Sequence, residues 1–180
     1  MSAIEKFFIE NRVVIITGGA GLLGKKHAEA VIEGKGIPVL LDVSSVAIEN
    51  AKRELKEIYG ENCKVEGCVV DITQSDDVEK AAKYLLEKHG HIDVLINNAA
   101  NNPKVEGNAA NMKAIQFENF PLQMWMDDLA VGLTGSFICA QVFGGIMAKL
   151  GKGVILNISS DLGIIAPDQR IYRKDGLSDD

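Results

Sequence analysis

The eight residues Thr17-Gly18-Gly19-Ala20-Gly21-Leu22-Leu23-Gly24 constrain this chain more than any others, because they join a β-branched run to a helical one. Arg12 to Thr17 (RVVIIT) reads as a strand buried on both faces of a parallel sheet. From Leu22 to Ile32 the residues Leu23, His27, Ala28, Val31 and Ile32 recur at helical spacing, and Gly34 and Gly36 then stop the helix. Between the two, Gly19, Gly21 and Gly24 satisfy GxGxxG. Such a backbone turns sharply, admits a pyrophosphate where a Cβ would stand, and aims first-turn N–H groups and the positive helix end at that anion.

The alternation continues. Ile37 to Leu41, Lys64 to Val70 and Ile92 to Ile96 read as strands, and Ser45 to Tyr59 and Ser75 to His89 as helices, with Ser44 or Ser45 and Ser75 as caps. Asn101 to Phe120 is a long polar connection of the kind that covers a substrate; Pro121 to Lys149 follows as one helix ending at Gly151, and Gly153 to Ile158 (GVILNI) as a fifth strand. Strands separated by helices of this length imply right-handed crossovers and an α/β, doubly wound parallel sheet, the Rossmann fold, in the order 3-2-1-4-5.

Composition narrows the class. With 47% apolar and 24% charged residues, 180 residues make one folded domain with a core of its own. A net charge of −6 without a basic run argues against nucleic acid as a partner. The segment Met1 to Asn11 carries Glu5, Lys6 and Glu10, and no stretch reads as a membrane span, so no membrane partner is expected. Cys63, Cys68 and Cys139 form no CxxC, and the histidines lie at no zinc-site spacing; a reducing, cytoplasmic setting and no metal are expected.

Four segments fall at the carboxyl ends of strands, the rim where open parallel sheets bind ligands. The glycine turn follows the first strand. Asp42 closes the second, 18 residues beyond Gly24, where a carboxylate accepts hydrogen bonds from both hydroxyls of an adenosine ribose and repels a 2′-phosphate, so the expected cofactor is NAD. Asp71 and Ile72 close the third strand and can flank an adenine ring. Asn97-Asn98-Ala99-Ala100 closes the fourth.

Together with Asn157-Ile158-Ser159-Ser160, these residues resemble the short-chain dehydrogenase/reductase family over nearly the whole chain. The TGxxGxxG spacing is similar to that of the extended, nucleotide-sugar-modifying members, whereas N-N-A-A and N-I-S-S resemble the shorter oxidoreductases, which more motifs favour. The loop beginning N-N-P-K, the segment E-N-F-P-L and V-G-L-T-G-S-F resemble members that modify flagellin or surface sugars. The resemblance implies cofactor contacts at Gly18, Gly21, Leu22, Leu23, Gly24, Asp42, Asp71, Ile72, Asn98, Ala99, Ala100 and Ile158. It also implies a catalytic Ser160 that hydrogen-bonds the substrate oxygen, and a subunit interface on the long helix, so a homo-oligomer is expected of the intact protein.

The sequence departs from the family pattern in two places. The family's tyrosine and lysine form YxxxK, but four residues beyond Tyr172 stands Gly176, and Lys174 is two away, on nearly the opposite side of a helix. The family's helix asparagine falls on Gly132. The expectation is therefore a chain that stops short of a sixth and seventh strand. Residues 1–160 would form the dinucleotide-binding domain and residues 161–180 a substrate-side portion, with apolar surface left on the fifth strand and on Leu129 to Leu150. The expected function is NAD-dependent hydride transfer between nicotinamide and an alcohol or ketone small molecule, with sugar derivatives among the candidates, at low activity in this chain. The alternatives are a non-catalytic NAD-binding module and a sugar-nucleotide epimerase of the extended type.

Overall fold

The computed structural model describes residue 2, residues 5–101 and residues 117–165. Five parallel strands form one sheet in the order β3-β2-β1-β4-β5: β1 (Val13–Thr17), β2 (Ile37–Asp42), β3 (Glu66–Val69), β4 (Val94–Asn97) and β5 (Val154–Asn157). Between them run α1 (Leu22–Glu33), α2 (Ser45–Tyr59), α3 (Ser75–His89), α4 (Leu122–Leu129) and α5 (Ser136–Lys149). This is the doubly wound Rossmann arrangement that the alternation predicts.

Successive side chains of a strand point to opposite faces, so each central strand feeds two cores. Val13 and Ile15 of β1 join Val39, Leu41, Leu95, Leu85 and Phe143 on one face, while Val14 and Ile16 join Leu40, Ala28, Ala51 and Leu55 on the other. All five residues of β1 are buried, as a strand between two helical layers requires. Each such aliphatic side chain contributes about 1.5–3 kcal/mol by leaving water. The amino edge of the sheet is tied by Asp93, 4% exposed, which accepts from Val13 N at 3.0 Å and Arg12 Nη1 at 2.7 Å and meets His91 Nδ1 at 2.7 Å.

Several expectations need correction. The helix predicted as continuous from Pro121 to Lys149 is broken by a π-helical turn, Ala130–Gly135. Its buried face is Gly135, Cys139, Phe143 and Met147, spaced by four, and Leu133 and Phe137 point outward at 66% and 62% exposure. Trp125, near the start of α4, is 53% exposed. The run Leu122–Lys149 is also, by length and composition, apolar enough to cross a membrane, contrary to the expectation of no such stretch; its face at Cys139, Phe143 and Met147 packs into the core, while 17% of its most apolar window is buried.

Ser44 caps α2 by accepting from Ala47 N at 3.2 Å, but Ser75 is not a cap: Gln74 precedes α3, and the Ser75 hydroxyl bonds Glu79 at 3.3 Å. Strand β3 stops at Val69, so Asp71 and Ile72 lie beyond it; Ile158 likewise follows the end of β5. Every residue of β5 is exposed, as expected for its apolar surface. Most of the Asn101–Phe120 connection, together with Tyr172, Lys174 and Gly176, lies outside the described residues.

Candidate dinucleotide site

The carboxyl ends of β1, β2 and β4 meet at the glycine-rich turn. Gly18 follows β1 with φ +59°, a left-handed conformation that favours glycine, and Gly19 N donates to Leu41 O at 3.0 Å, laying the turn against β2. At Gly24 a Cβ would stand 2.2 Å from the Gly18 carbonyl oxygen, so the first turn of α1 can approach the loop only without a side chain there. Gly21 caps α1 and offers no side-chain acceptor. The first-turn amides around Leu22, Leu23 and Gly24 are thus left for water or a ligand, at the positive end of a 12-residue helix. Leu22 and Leu23 stand 80% and 56% exposed beside them.

Asp42 ends β2 facing this turn. One carboxylate oxygen accepts from Ala20 N at 3.3 Å and the other from Ser44 N at 3.1 Å, which fixes the group between the loop and the start of α2. Each oxygen keeps a lone pair beyond those bonds, enough to receive a diol. These residues fit an adenosine dinucleotide on two counts: a cradle that a Cβ at position 24 would fill, and an anchored acceptor one strand away.

Sequence reasoning passed over Thr17. Its side chain is buried, and its Oγ1 accepts the N–H groups of both Asn98 and Ala99 at 3.0 Å. The Asn98 side-chain amide adds a second tie in the same sense, donating to the Thr17 carbonyl at 2.9 Å and the Gly18 carbonyl at 3.3 Å. A threonine at the last position of a strand before glycines was the available sign. Ala99 packs against the core and Ala100 is exposed.

Asp71 accepts from Thr73 N at 2.9 Å and Thr73 Oγ1 at 2.7 Å, closing a short turn. Ile72 is 6% exposed and lies in the core beneath the π turn, where a Cβ on Gly135 would come within 2.8 Å of it. Ile158 N donates to Asn97 O at 2.9 Å, and two residues on the exposed Ser160 hydroxyl bonds Asp161 Oδ1 at 3.1 Å.

A YxxxK spacing that sequence reading also missed occurs at Tyr84–Lys88 on α3, but the wrong edge of the sheet holds it. Lys88 Nζ sits 5.7 Å from the Tyr84 ring centroid and 2.9 Å from Glu66 at the start of β3; that hydrogen bond pushes the Lys88 pKa up. A cavity of about 660 Å³ also opens at the amino end of the sheet, lined by Asn11, Lys35, Tyr59 and Lys64. There Lys35 pairs with Glu10 and Lys64 with Asn11, so both lysine ammonium groups already have partners.

Known proteins share the sequence pattern and the fold. Over 93% of its length the chain is 30% identical to an NAD-dependent glycerol dehydrogenase of Listeria innocua, covering 59% of that protein. It is 26% identical over 91% of its length to the post-translational flagellin modification protein A of Campylobacter coli, covering 61% of that protein. The crystal structure of an NADPH-dependent 3-quinuclidinone reductase from Rhodotorula rubra superimposes with a TM-score of 0.74 at 28% identity, over 95% of this chain and 61% of that one. The chain thus spans less than two thirds of the length of each of these proteins. A family model described as short chain dehydrogenase matches residues 12–172, from the first residue of the predicted strand β1 through the glycine turn, Asp42 and Ser160, and on that match the chain belongs to the short-chain dehydrogenase family.

Proposed function

We propose that this chain binds NAD across the rim of β1, β2 and β4, and that the reaction it serves is hydride exchange between the nicotinamide and an alcohol or ketone. The observation that carries the reading is the uncapped start of α1 facing the anchored Asp42 carboxylate. In this reading Gly18, Gly21, Leu22, Leu23 and Gly24 hold the diphosphate, and Asp42 takes the ribose hydroxyls. Asp71 and Ile72 flank the adenine, Asn98, Ala99 and Ala100 line the path toward the nicotinamide, and Ile158 borders it. Asp42 favours NAD over NADP because a 2′-phosphate beside it meets like charge.

When bound, the nicotinamide supplies the hydride donor or acceptor. Ser160 then orients the substrate oxygen by hydrogen bonding, in the exposed segment after β5. Proton delivery to that oxygen needs a second group, and the Tyr84–Lys88 pair is committed to the other edge. Among the described residues no tyrosine–lysine pair stands at that rim, so on this reading turnover by these 180 residues is slow, with residues 1–160 as the cofactor domain and 161–180 on the substrate side. The similarity to a glycerol dehydrogenase and to a flagellin modification protein favours a polyol or sugar-derived substrate. The outward Leu133 and Phe137 favour a homo-oligomer through the long helical run, and three free cysteines favour a cytoplasmic setting.

Gly132 favours the second reading, an NAD-binding module without catalysis: a Cβ there would meet nothing within 4 Å, so packing does not demand glycine, and no side chain is offered where the family's asparagine falls. Titration calorimetry tests the shared premise. NAD is expected to bind at least about tenfold more tightly than NADP, and Asp42→Ala to remove most of that difference, a shift of about 1.4 kcal/mol or more. Absence of binding by folded protein overturns both readings; binding together with measurable NADH oxidation on a polyol-derived ketone decides for the first.

A further inference from the structure

Asn97, the last residue of β4, is 4% exposed and lies between three elements. Its amide nitrogen donates to Asn157 Oδ1 at 2.8 Å, at the end of β5, and to the Ser136 carbonyl at 3.3 Å, at the start of α5. Its own Oδ1 is buried and has no hydrogen-bond partner. The Ser136 carbonyl can only accept, so turning the amide over would set oxygen against oxygen; the carbonyl dictates which atom faces which way. A buried acceptor left unpaired costs free energy that folded proteins rarely leave uncompensated. Here the compensation is geometric, since the side-chain amide supplies two donors from one atom at this reach.

The main chain adds to the clip. Asn97 O accepts from Ile158 N at 2.9 Å, so both halves of the residue hold the segment that runs on to Ser160. On the helical side, the Ser136 hydroxyl donates to Gly132 O at 2.9 Å, which links the clipped residue back across the π turn. π turns of this kind recur at functional sites. The dinucleotide cradle is secured separately, by Thr17 and Asn98 on the β1 side of β4.

We infer that Asn97 is a positioning residue: by clipping Asn157 and the Ser136 carbonyl together it sets where the end of β5, and with it Ser160, stands relative to the π turn. The inference rests on the reading of Ser160 as the group that meets the substrate oxygen. It deepens that reading and does not depend on how tightly the cofactor binds.

The test is nuclear magnetic resonance on the whole chain, comparing wild type with Asn97→Asp. An ionised carboxylate cannot donate to the Ser136 carbonyl, whereas a protonated one can. The Ser136, Asn157 and Ser160 amide resonances of the variant should therefore share one titration that wild type lacks and return toward their wild-type positions at low pH. The Leu22 and Gly24 amides should not follow it. A titration seen at Ser136 and Asn157 but absent at Ser160 overturns the positioning role, and absence everywhere overturns the clip.

Should Asn97→Asp fail to fold, wild type and Asn157→Ala decide. The Asn97 side-chain amide protons of wild type should exchange with solvent at least tenfold more slowly than those of the exposed Asn62, and Asn157→Ala should shift the Ser160 amide and abolish that protection. Fast exchange, or an unmoved Ser160, counts against the inference. NAD titrated into the same samples keeps the two readings apart: failure to bind in wild type removes the cofactor assignment, while the Ser160 response decides the clip.

Discussion

Asn98 donates twice to Thr17: its main-chain N–H to Thr17 Oγ1 at 3.0 Å and its side-chain Nδ2 to the Thr17 carbonyl at 2.9 Å. This couples the end of β1 to the end of β4, the two strands that frame the cradle. Thr17→Val keeps the shape and strands the part-buried N–H groups of Asn98 and Ala99, so a loss of about 1–3 kcal/mol in urea unfolding is expected. Thr17→Ser, which keeps the acceptor, should recover most of it.

Gly24→Ala places a methyl against the Gly18 carbonyl and Gly19 Cα, which lie 2.2 Å and 2.7 Å from the ideal Cβ position. The backbone has to move apart there. The expected outcome is a destabilisation of about 1–3 kcal/mol and NAD binding weakened more than tenfold, read by thermal unfolding and calorimetry on the same sample.

Burial works against ionisation of Asp93, but the Val13 N–H, the Arg12 guanidinium and His91 together hold its carboxyl below the usual range. A depressed folded-state pKa contributes stability above the unfolded value of about 3.9, and that stability is lost as pH falls through the folded value. Urea midpoints taken between about pH 6 and pH 2 should therefore fall more steeply for wild type than for Asp93→Asn, with the variant less stable at neutral pH. Parallel curves would remove Asp93 from the account of acid sensitivity.

Cys139 is buried without exposure, and that burial pushes its thiol up to about 12. Thiolate, the reactive form, is then scarce at neutral pH. A disulfide reagent should label Cys139 in native protein at the rate of unfolding, and at once in denaturant. Cys63 and Cys68, half-buried, should label earlier.

Phe143 fills the space between α5 and the sheet at 0% exposure. Phe143→Ala should cost about 3–5 kcal/mol by equilibrium unfolding.

Most of the fold was legible because local chemistry and the global arrangement agree. Ser45–Tyr59 and Ser75–His89 begin and end where their polar flanks and glycines place them, and a five-residue β-branched run such as Val13–Thr17 has few other homes. The π turn was not legible, because inserting one residue into a helical repeat leaves an apolar pattern that still reads as helical, and the buried Cys139, Phe143 and Met147 that follow it keep the i, i+4 spacing of an ordinary α-helix. At the rim, glycines and carboxylates announced themselves by type. Thr17, Asn97 and Asn157 did not, since their importance lies in bonds across strands far apart in the chain. The Tyr84–Lys88 spacing shows the converse: a pattern of the right residues acquires meaning only from the edge of the sheet on which it falls.

Strand β5 bears on how the molecule behaves in the tube. Val154, Ile155 and Leu156 are 61%, 40% and 47% exposed, and among the described residues the outer flank of β5 pairs with no strand. Nor does any charged side chain within Val154–Asn157 fend off a neighbour, in contrast to β3 at the far side, which opens on Glu66. Such a flank templates association as concentration rises, so sample handling, above all salt and protein loading, will govern whether this chain stays monodisperse.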